Sequence, residues 1–518
     1  MKRFYLFALC TLSFALSFWL MWHTLSYNSQ SHTILISGKY WSDFGGHLPL
    51  IRSFSKGSNW PPEYATFPGV PIRYHFIFYF FAGLLEKTGL RLDWALNLPS
   101  ALGFFLLLVL IYLFSFRLFQ RHLVSFLSVI FFLFNGSLSW LDFLQKNNIS
   151  DLPKLIPFPS FGPWNGSQIS AFWNLNIYTN QRHLGLSFAI ALLIINLLYI
   201  RRYIFVVGFL TGLLLMLNQA AFLVAVLFIA WFFLVDSKLR LPLIISSLGG
   251  LPWLYFSLRT IPISSGITYH PLFLLQPPLN LSTILRYWFF NIGPHLILIP
   301  LGFLLSPRRA KILILPLLVL FIAPNIWQFS VDMINNHKFF NFFLFVGSMY
   351  SAYALSRYKL LLVLVPLLIL GGIVDFFPVK NDTYGSLPDI QANPDAAYFL
   401  THTPPDSIVL NSYWYYHPAS LAGRKIFNGY SYFSWALGYD QVPRERLTVN
   451  IYTAPDKLTA CRLLKSNHIS FIELNDHPEG FIKPNWDLWK NQFTPVYRNP
   501  ASGTSVYNVS TSCPNISS

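Results

Sequence analysis

The chain has 518 residues, 54% of them hydrophobic and 18% aromatic, with only 11% charged and a mean hydropathy of +0.47. Soluble domains carry about a quarter charged residues, so this composition excludes an ordinary soluble protein and specifies an integral membrane one. The formal charge of +16 raises the question of a nucleic-acid partner. The cations fall in short clusters between apolar runs, however, which is a topology signal and excludes that partner.

The N-terminus, MKRFYLFALCTLSFALSFWLMW, joins a basic start to an apolar stretch of about 19–20 residues, enough to cross a bilayer. A cleaved signal has a shorter core and a small-x-small site, so an uncleaved first span, residues 4–22, is expected. It contains Cys10.

An outer loop follows, residues 23–93. In YWSDFGGHLPLIRSF (40–54), Asp43 and His47 stand four apart and share a face if the stretch is helical. Gly45 and Gly46 weaken that helix. Next comes NWPPEYATFPGVPIRYHF, stiffened by prolines, which sets Glu63 and His75 among Trp60, Tyr64 and Tyr74. Ionisable groups beside a span mark function where they face a cavity; the alternative is a solvated interfacial carboxylate. The segment YHFIFYFFAGLLEKTG (74–89) has an apolar core of about eleven residues, too short to span and suited to a helix lying along the outer interface.

Further apolar runs lie near 94–116, 122–140, 183–200, 203–218, 220–235, 241–258, 286–305, 311–328, 340–356 and 359–377, about eleven with the first. With the N-terminus inside, the cytoplasmic turns hold Lys2/Arg3, Arg117/Arg121, Arg201/Arg202, Lys238/Arg240, Arg308/Arg309/Lys311 and Arg357/Lys359. Every inside turn is then basic, as the positive-inside rule requires. Segments 23–93, 141–182, 259–285, 329–339 and everything after about 378 fall outside.

Two outer span entrances carry cations. Gln181, Arg182 and His183 precede one span, and His337 and Lys338 begin another. Arg182 runs against the inside bias; a guanidinium there suits an anionic headgroup or phosphate, and the alternative is interfacial snorkelling.

The tail alternates helix-like NPDAAYFLTH and DKLTACRLLKSN with strand-like SIVLNS, ISFIEL and GTSVYNVS, which predicts a small α/β domain. Its aromatic tract, SYWYYHPASLAGRKIFNGYSYFSWALGYDQVPRER (412–446), suits equally a sugar-stacking surface and a domain resting on a membrane interface. Cys461 and Cys513 lie in this tail and are expected either to pair, if it is extracytoplasmic, or to stay as two free thiols. No phosphate-cradling Gly-rich loop, HExxH, CxxC or GxSxG stands in a credible context, which leaves ATP-driven transport and zinc proteolysis unsupported. The expected architecture is an α-helical polytopic membrane domain over 1–377, with its outer first loop, and an extracytoplasmic α/β domain over 378–518.

An acidic residue soon after span one, a Pro-rich tract, an interfacial aromatic helix and then DWALNLPSALGFFLLLVLIYLFSFRLFQRH make a pattern that resembles the GT-C superfamily of membrane glycosyltransferases. The resemblance is to the branch containing the aminoarabinose and protein O-mannosyl transferases, whose second span begins RLPSAL-like; here NLPSALGF stands at 97–104 and FRLFQRH at 116–122. It covers about the first 120 residues in sequence and the remainder in topology. It implies transfer of a sugar from a polyprenyl-phosphate carrier to a glycan, lipid or protein acceptor at the outer face, within membrane lipid and with no nucleotide sugar used directly. Asp43 matches the family's first-loop acid. Many members have paired acids, whereas Asp43 stands beside Ser42 and Phe44, which leaves dependence on a divalent metal open and doubtful, with His47 or Glu63 to supply any partner for Asp43; no other cofactor is implied.

The resemblance makes Asp43 the general base, with His47 orienting the acceptor hydroxyl or sharing its proton, in a displacement that inverts the anomeric centre. Arg182 and Lys338 are the expected cations for the leaving phosphate, and Glu63, His75, Gln181, His183 and His337 the expected neighbours in substrate binding. Two rival classes are a lipid-linked saccharide flippase, which would place polar residues through the middle of its spans, and a non-catalytic saccharide-binding membrane protein.

Overall fold

The computed structural model describes residues 2–162, 175–260, 266–275 and 278–514. Parts of the expected outer loops 141–182 and 259–285 lie outside the described residues. The chain forms two compact units, one of Met1–His23, Asn97–Ser257 and Ser265–Thr383, the other of Thr24–Leu96, Leu258–Ser264 and Tyr384–Ser518.

The first unit is helical. Among the described residues six helices are long and apolar enough to cross a membrane: Phe7–Thr24, Leu92–Phe119, Ser237–Leu258, Arg308–Ile326, Met333–Arg357 and Leu360–Lys380. Leu281–Ile292 and His295–Leu305 make a seventh if their 87° bend is one broken span. Four runs read as spans are shorter apolar helices, His122–Leu133, Leu184–Ile200, Ile204–Leu217 and Gln219–Val235. The expected count of about eleven is therefore not reached on length. Hydropathy registers apolar content but not the backbone breaks that shorten a helix. At the bend Gly293 takes φ +55 and Pro294 follows it, a left-handed residue and then one with no N–H to continue the ladder.

The Met333–Arg357 helix is 94% buried over its apolar window and packs against His295–Leu305, His122–Leu133 and Ile314–Ile326. Its approach to His295–Leu305 is close because Gly302 has no side chain: a Cβ there would stand 2.1 Å from the Tyr350 carbonyl oxygen.

The second unit holds two larger sheets. Leu25–Asn28, Thr33–Ser37 and Tyr384–Pro388 pair antiparallel, with Leu25 opposite Ile36 and Ile36 opposite Gly385. The other sheet has five strands, in the order Tyr497–Asn499, Thr504–Asn508, Phe471–Asn475, Ile408–Leu410, Lys425–Ile426. Phe471–Asn475 runs parallel to Ile408–Leu410 and antiparallel to Thr504–Asn508. Residues of the helices Val442–Tyr452, Lys457–Ser466 and Trp486–Asn491 share a core with this sheet that includes Tyr452, Leu464, Ile472, Trp489 and Tyr507. Cys461 and Cys513 form a disulfide in this unit, Cα to Cα 5.7 Å, which settles the choice between pairing and two free thiols. The Ile77–Lys87 helix also belongs here. At 11 residues it is too short to cross a bilayer.

Candidate functional site

The stretch around Asp43 is helical, Trp41–Ser55, in spite of Gly45, Gly46 and Pro49. The two glycines have a packing reason. A Cβ on Gly45 would lie 2.6 Å from the Tyr415 ring, and one on Gly46 would lie 3.3 Å from both the Tyr64 hydroxyl and Phe433. Bare backbone lets these aromatic side chains close onto the helix.

Asp43 sits in the first turn, where the helix dipole favours a carboxylate, and His47 follows one turn later on the same face. The imidazole of His47 stacks on Tyr79, centroids 4.8 Å apart, and meets Phe44 edge-on at 5.8 Å. Burial pushes the phenols of Tyr74, Tyr79, Tyr415 and Tyr416 up, and the Asp43 carboxylate raises each of them further. Asp43 thus stands among four phenols that stay protonated at neutral pH. The Tyr416 hydroxyl donates to the Trp41 carbonyl, and its ring lies 4.6 Å from the Trp41 ring.

A buried network fixes the loop that supplies Tyr415 and Tyr416. Glu473, fully buried on the central strand, accepts from the Ser412 N–H and hydroxyl, each at 2.9 Å, and lies 3.0 Å from His417 Nε2. At the other end of the 41–55 helix, Arg52 donates through Nη2 to both oxygens of Asp389, at 2.9 and 3.0 Å. Its Nε lies 3.1 Å from Glu86 Oε1, an ion pair off the hydrogen-bonding direction, and Ser55 donates to the other Glu86 oxygen. This cluster locks the Asp43 helix to the Ile77–Lys87 helix and to the segment after Tyr384–Pro388.

Glu63 is ion-paired with Lys425 at 2.5 Å. His75 is buried, its ring 4.0 Å from that of Tyr74.

The cations expected at the two span entrances lie in the helical unit. Arg182 is 1% exposed; its Nη1 donates to Asn97 Oδ1 at 3.0 Å and touches Met21 Sδ. His183 is fully buried at the start of Leu184–Ile200. Gln181 Nε2 comes within 3.5 Å of His337 Nε2, so the two span entrances meet. Lys338 donates to Asn335 Oδ1 at 2.9 Å. The structure therefore gathers Gln181, Arg182, His183, His337 and Lys338 in one neighbourhood of the helical unit, and Asp43, His47, Glu63 and His75 in the other unit.

The sequence reading missed Arg52, the Glu473–His417 pair and the placement of Tyr415 on the Asp43 helix. Only the doublet Gly45–Gly46 signalled the last. Part of the aromatic tract opens a cavity of about 560 Å³ lined by Trp414, Phe481, Glu445, Arg446, Val449 and Asn450. No group of three His, Cys, Asp or Glu side chains is placed to hold a metal among the described residues.

The sequence matches no protein-family model and no curated protein. It is similar in structure to ArnT from Cupriavidus metallidurans bound to undecaprenyl phosphate, with a TM-score of 0.50 and 11% identity over 98% of each chain. The apo state of the same protein gives 0.48 and 10% identity over 91% of this chain and 96% of that one. The archaeal oligosaccharyltransferase AglB from Archaeoglobus fulgidus, in complex with an inhibitory peptide and a dolichol-phosphate, gives 0.40 and 15% identity over 100% of this chain and 75% of that one. The chain has a GT-C-like fold.

Proposed function

We propose that this chain is a membrane glycosyltransferase that moves a sugar from a polyprenyl-phosphate donor to an acceptor hydroxyl at the extracytoplasmic face. The observation that carries the reading is the placement of Asp43 and His47 on one helical face among neutral phenols, in a chain whose fold is GT-C-like. The solved structures it resembles include one bound to undecaprenyl phosphate and one in complex with a dolichol-phosphate.

Asp43 takes the proton of the acceptor hydroxyl, and the freed oxygen attacks the anomeric carbon. The bond from that carbon to the phosphate oxygen breaks, the lipid phosphate leaves with the electron pair, and the anomeric centre inverts. His47 orients the acceptor hydroxyl. Arg182 and Lys338 offset the charge that develops on the departing phosphate, with Gln181, His183 and His337 beside them; Glu63 and His75 serve binding on the Asp43 side.

The test is transfer by the purified chain in liposomes carrying mannosyl or glucosyl polyprenyl phosphate with a labelled sugar, supplied with cell-envelope extract as acceptor. Label passing to acceptor with inverted anomeric configuration supports the reading. Label that moves only from a nucleotide sugar, or lipid that is moved across the bilayer with its sugar still attached, overturns it.

A further inference from the structure

A second cavity in the sheet-bearing unit, of about 360 Å³, is lined by two arginines, Arg73 and Arg444, with Phe67, Tyr439, Asp440 and Asn467 among its other walls. Arg444 projects from the Val442–Tyr452 helix, its guanidinium carbon 3.9 Å from the Phe67 centroid and 4.6 Å from that of Phe427. Its Nη1 donates to the carbonyls of Pro68 at 2.7 Å and Phe427 at 3.1 Å. Burial pulls this guanidinium down to about 10, so its charge sits where water solvates it poorly.

Arg73 lies 5.0 Å over the Tyr439 ring, and its Nη1 donates to the Gly438 carbonyl. Its Nε is buried with no hydrogen-bond partner among the described residues. The acids nearby do not balance the two charges. Glu63, the carboxylate that Arg444 feels most, is bound to Lys425, and Asp440 is an exposed rim residue.

Two cations on one cavity, the Arg444 one held out of water, are unfavourable without a counter-charge, and the buried Arg73 N–H without an acceptor adds to that cost. An anion corrects both. The planar guanidinium suits the oxygens of a phosphate or a carboxylate, and stacking on aromatic rings holds it in place beforehand. The cavity is at the small end of the range of about 300–1,000 Å³ that ligand sites occupy, room for an anionic group with the sugar ring that bears it. We infer that this pocket binds a phosphate- or carboxylate-bearing sugar, the recognition element of the acceptor. That the bearer is the acceptor rests on the transferase reading; the binding of the anion does not.

The test is isothermal titration of the full chain in detergent with inorganic phosphate, glucuronate and neutral glucose. One of the two anions binds saturably at millimolar concentration and glucose does not; which anion binds tells phosphoryl from carboxylate. Arg73→Gln and Arg444→Gln each weaken the binding by about ten-fold or more, the loss of one charged hydrogen bond. Because Arg444 also packs on two rings, the exposed Asp440→Asn supplies a variant without folding risk, and it tightens binding by about two- to five-fold. Binding unchanged in the arginine variants or in Asp440→Asn, equal binding of glucose, or no binding of either anion overturns the inference. Binding is read without turnover. A chain that binds the anion but transfers no sugar contradicts the transferase reading alone, and one that transfers but binds no anion contradicts this inference alone.

Discussion

Replacing Arg52 by Leu removes the cation that two buried carboxylates share. The Glu86 side chain is 4% exposed and that of Asp389 12%, so neither can recover the lost contact from water without opening the structure. Breaking a buried pair by deleting one partner costs about 3–5 kcal/mol, most of it the desolvation of the charge left behind. Two carboxylates are orphaned here, while Asp389 retains some access to solvent, which places the loss in that range. For a unit of this size the thermal midpoint falls by roughly 2–4 °C per kcal/mol, a total drop of about 6–20 °C. The assay is tryptophan fluorescence of the detergent-solubilised chain on heating. Arg52→Met combined with Glu86→Gln removes the cation and the more deeply buried charge together and recovers more than half of the loss. A midpoint for Arg52→Leu within about 1 °C of wild type, or a double variant no better than the single, would refute the reasoning.

Gly45→Ala places a methyl 2.6 Å from the Tyr415 ring, and overpacking of that kind costs about 1–3 kcal/mol; Gly46→Ala, with its nearest atoms at 3.3 Å, costs less than about 1 kcal/mol. Urea unfolding followed by near-UV circular dichroism ranks the two, and the opposite order would contradict the close approach of Tyr415. The Cys461–Cys513 bridge closes a loop of 52 residues, for which chain entropy gives about 4 kcal/mol. Reduction therefore lowers the thermal midpoint of wild type and leaves a Cys461→Ala/Cys513→Ala variant unmoved; a wild type indifferent to reductant contradicts the bridge.

What could be read in advance was local. The four-residue spacing of Asp43 and His47 anticipates a shared face, and the short apolar core before Glu86 anticipates a helix too short to span, found at Ile77–Lys87. Strand signals in SIVLNS, ISFIEL and GTSVYNVS fall on Ile408–Leu410, Phe471–Asn475 and Thr504–Asn508. The rest depends on contacts between distant positions, which no window of sequence contains. Arg52 meets Asp389 across 337 residues, and Glu63 meets Lys425 across 362. Gly45 looked like a defect in a helix because its partner, Tyr415, comes from the far end of the chain. Gln181 and His337 were each legible as polar groups at a span entrance, but not as neighbours. The lengths of the spans were not legible for a different reason: apolar runs are visible in sequence, whereas the break at Gly293–Pro294 and the shortness of four of the apolar helices are properties of the backbone.

The central claim is that Asp43 removes the acceptor proton. It is tested most directly by the turnover of labelled polyprenyl-phosphate sugar in Asp43→Asn against wild type, with donor binding and thermal midpoint measured on the same preparations. Loss of a general base costs about 10²–10⁴ in rate, so the account predicts a fall of that size with donor binding and folding intact. Turnover close to wild type in a folded Asp43→Asn protein would contradict it.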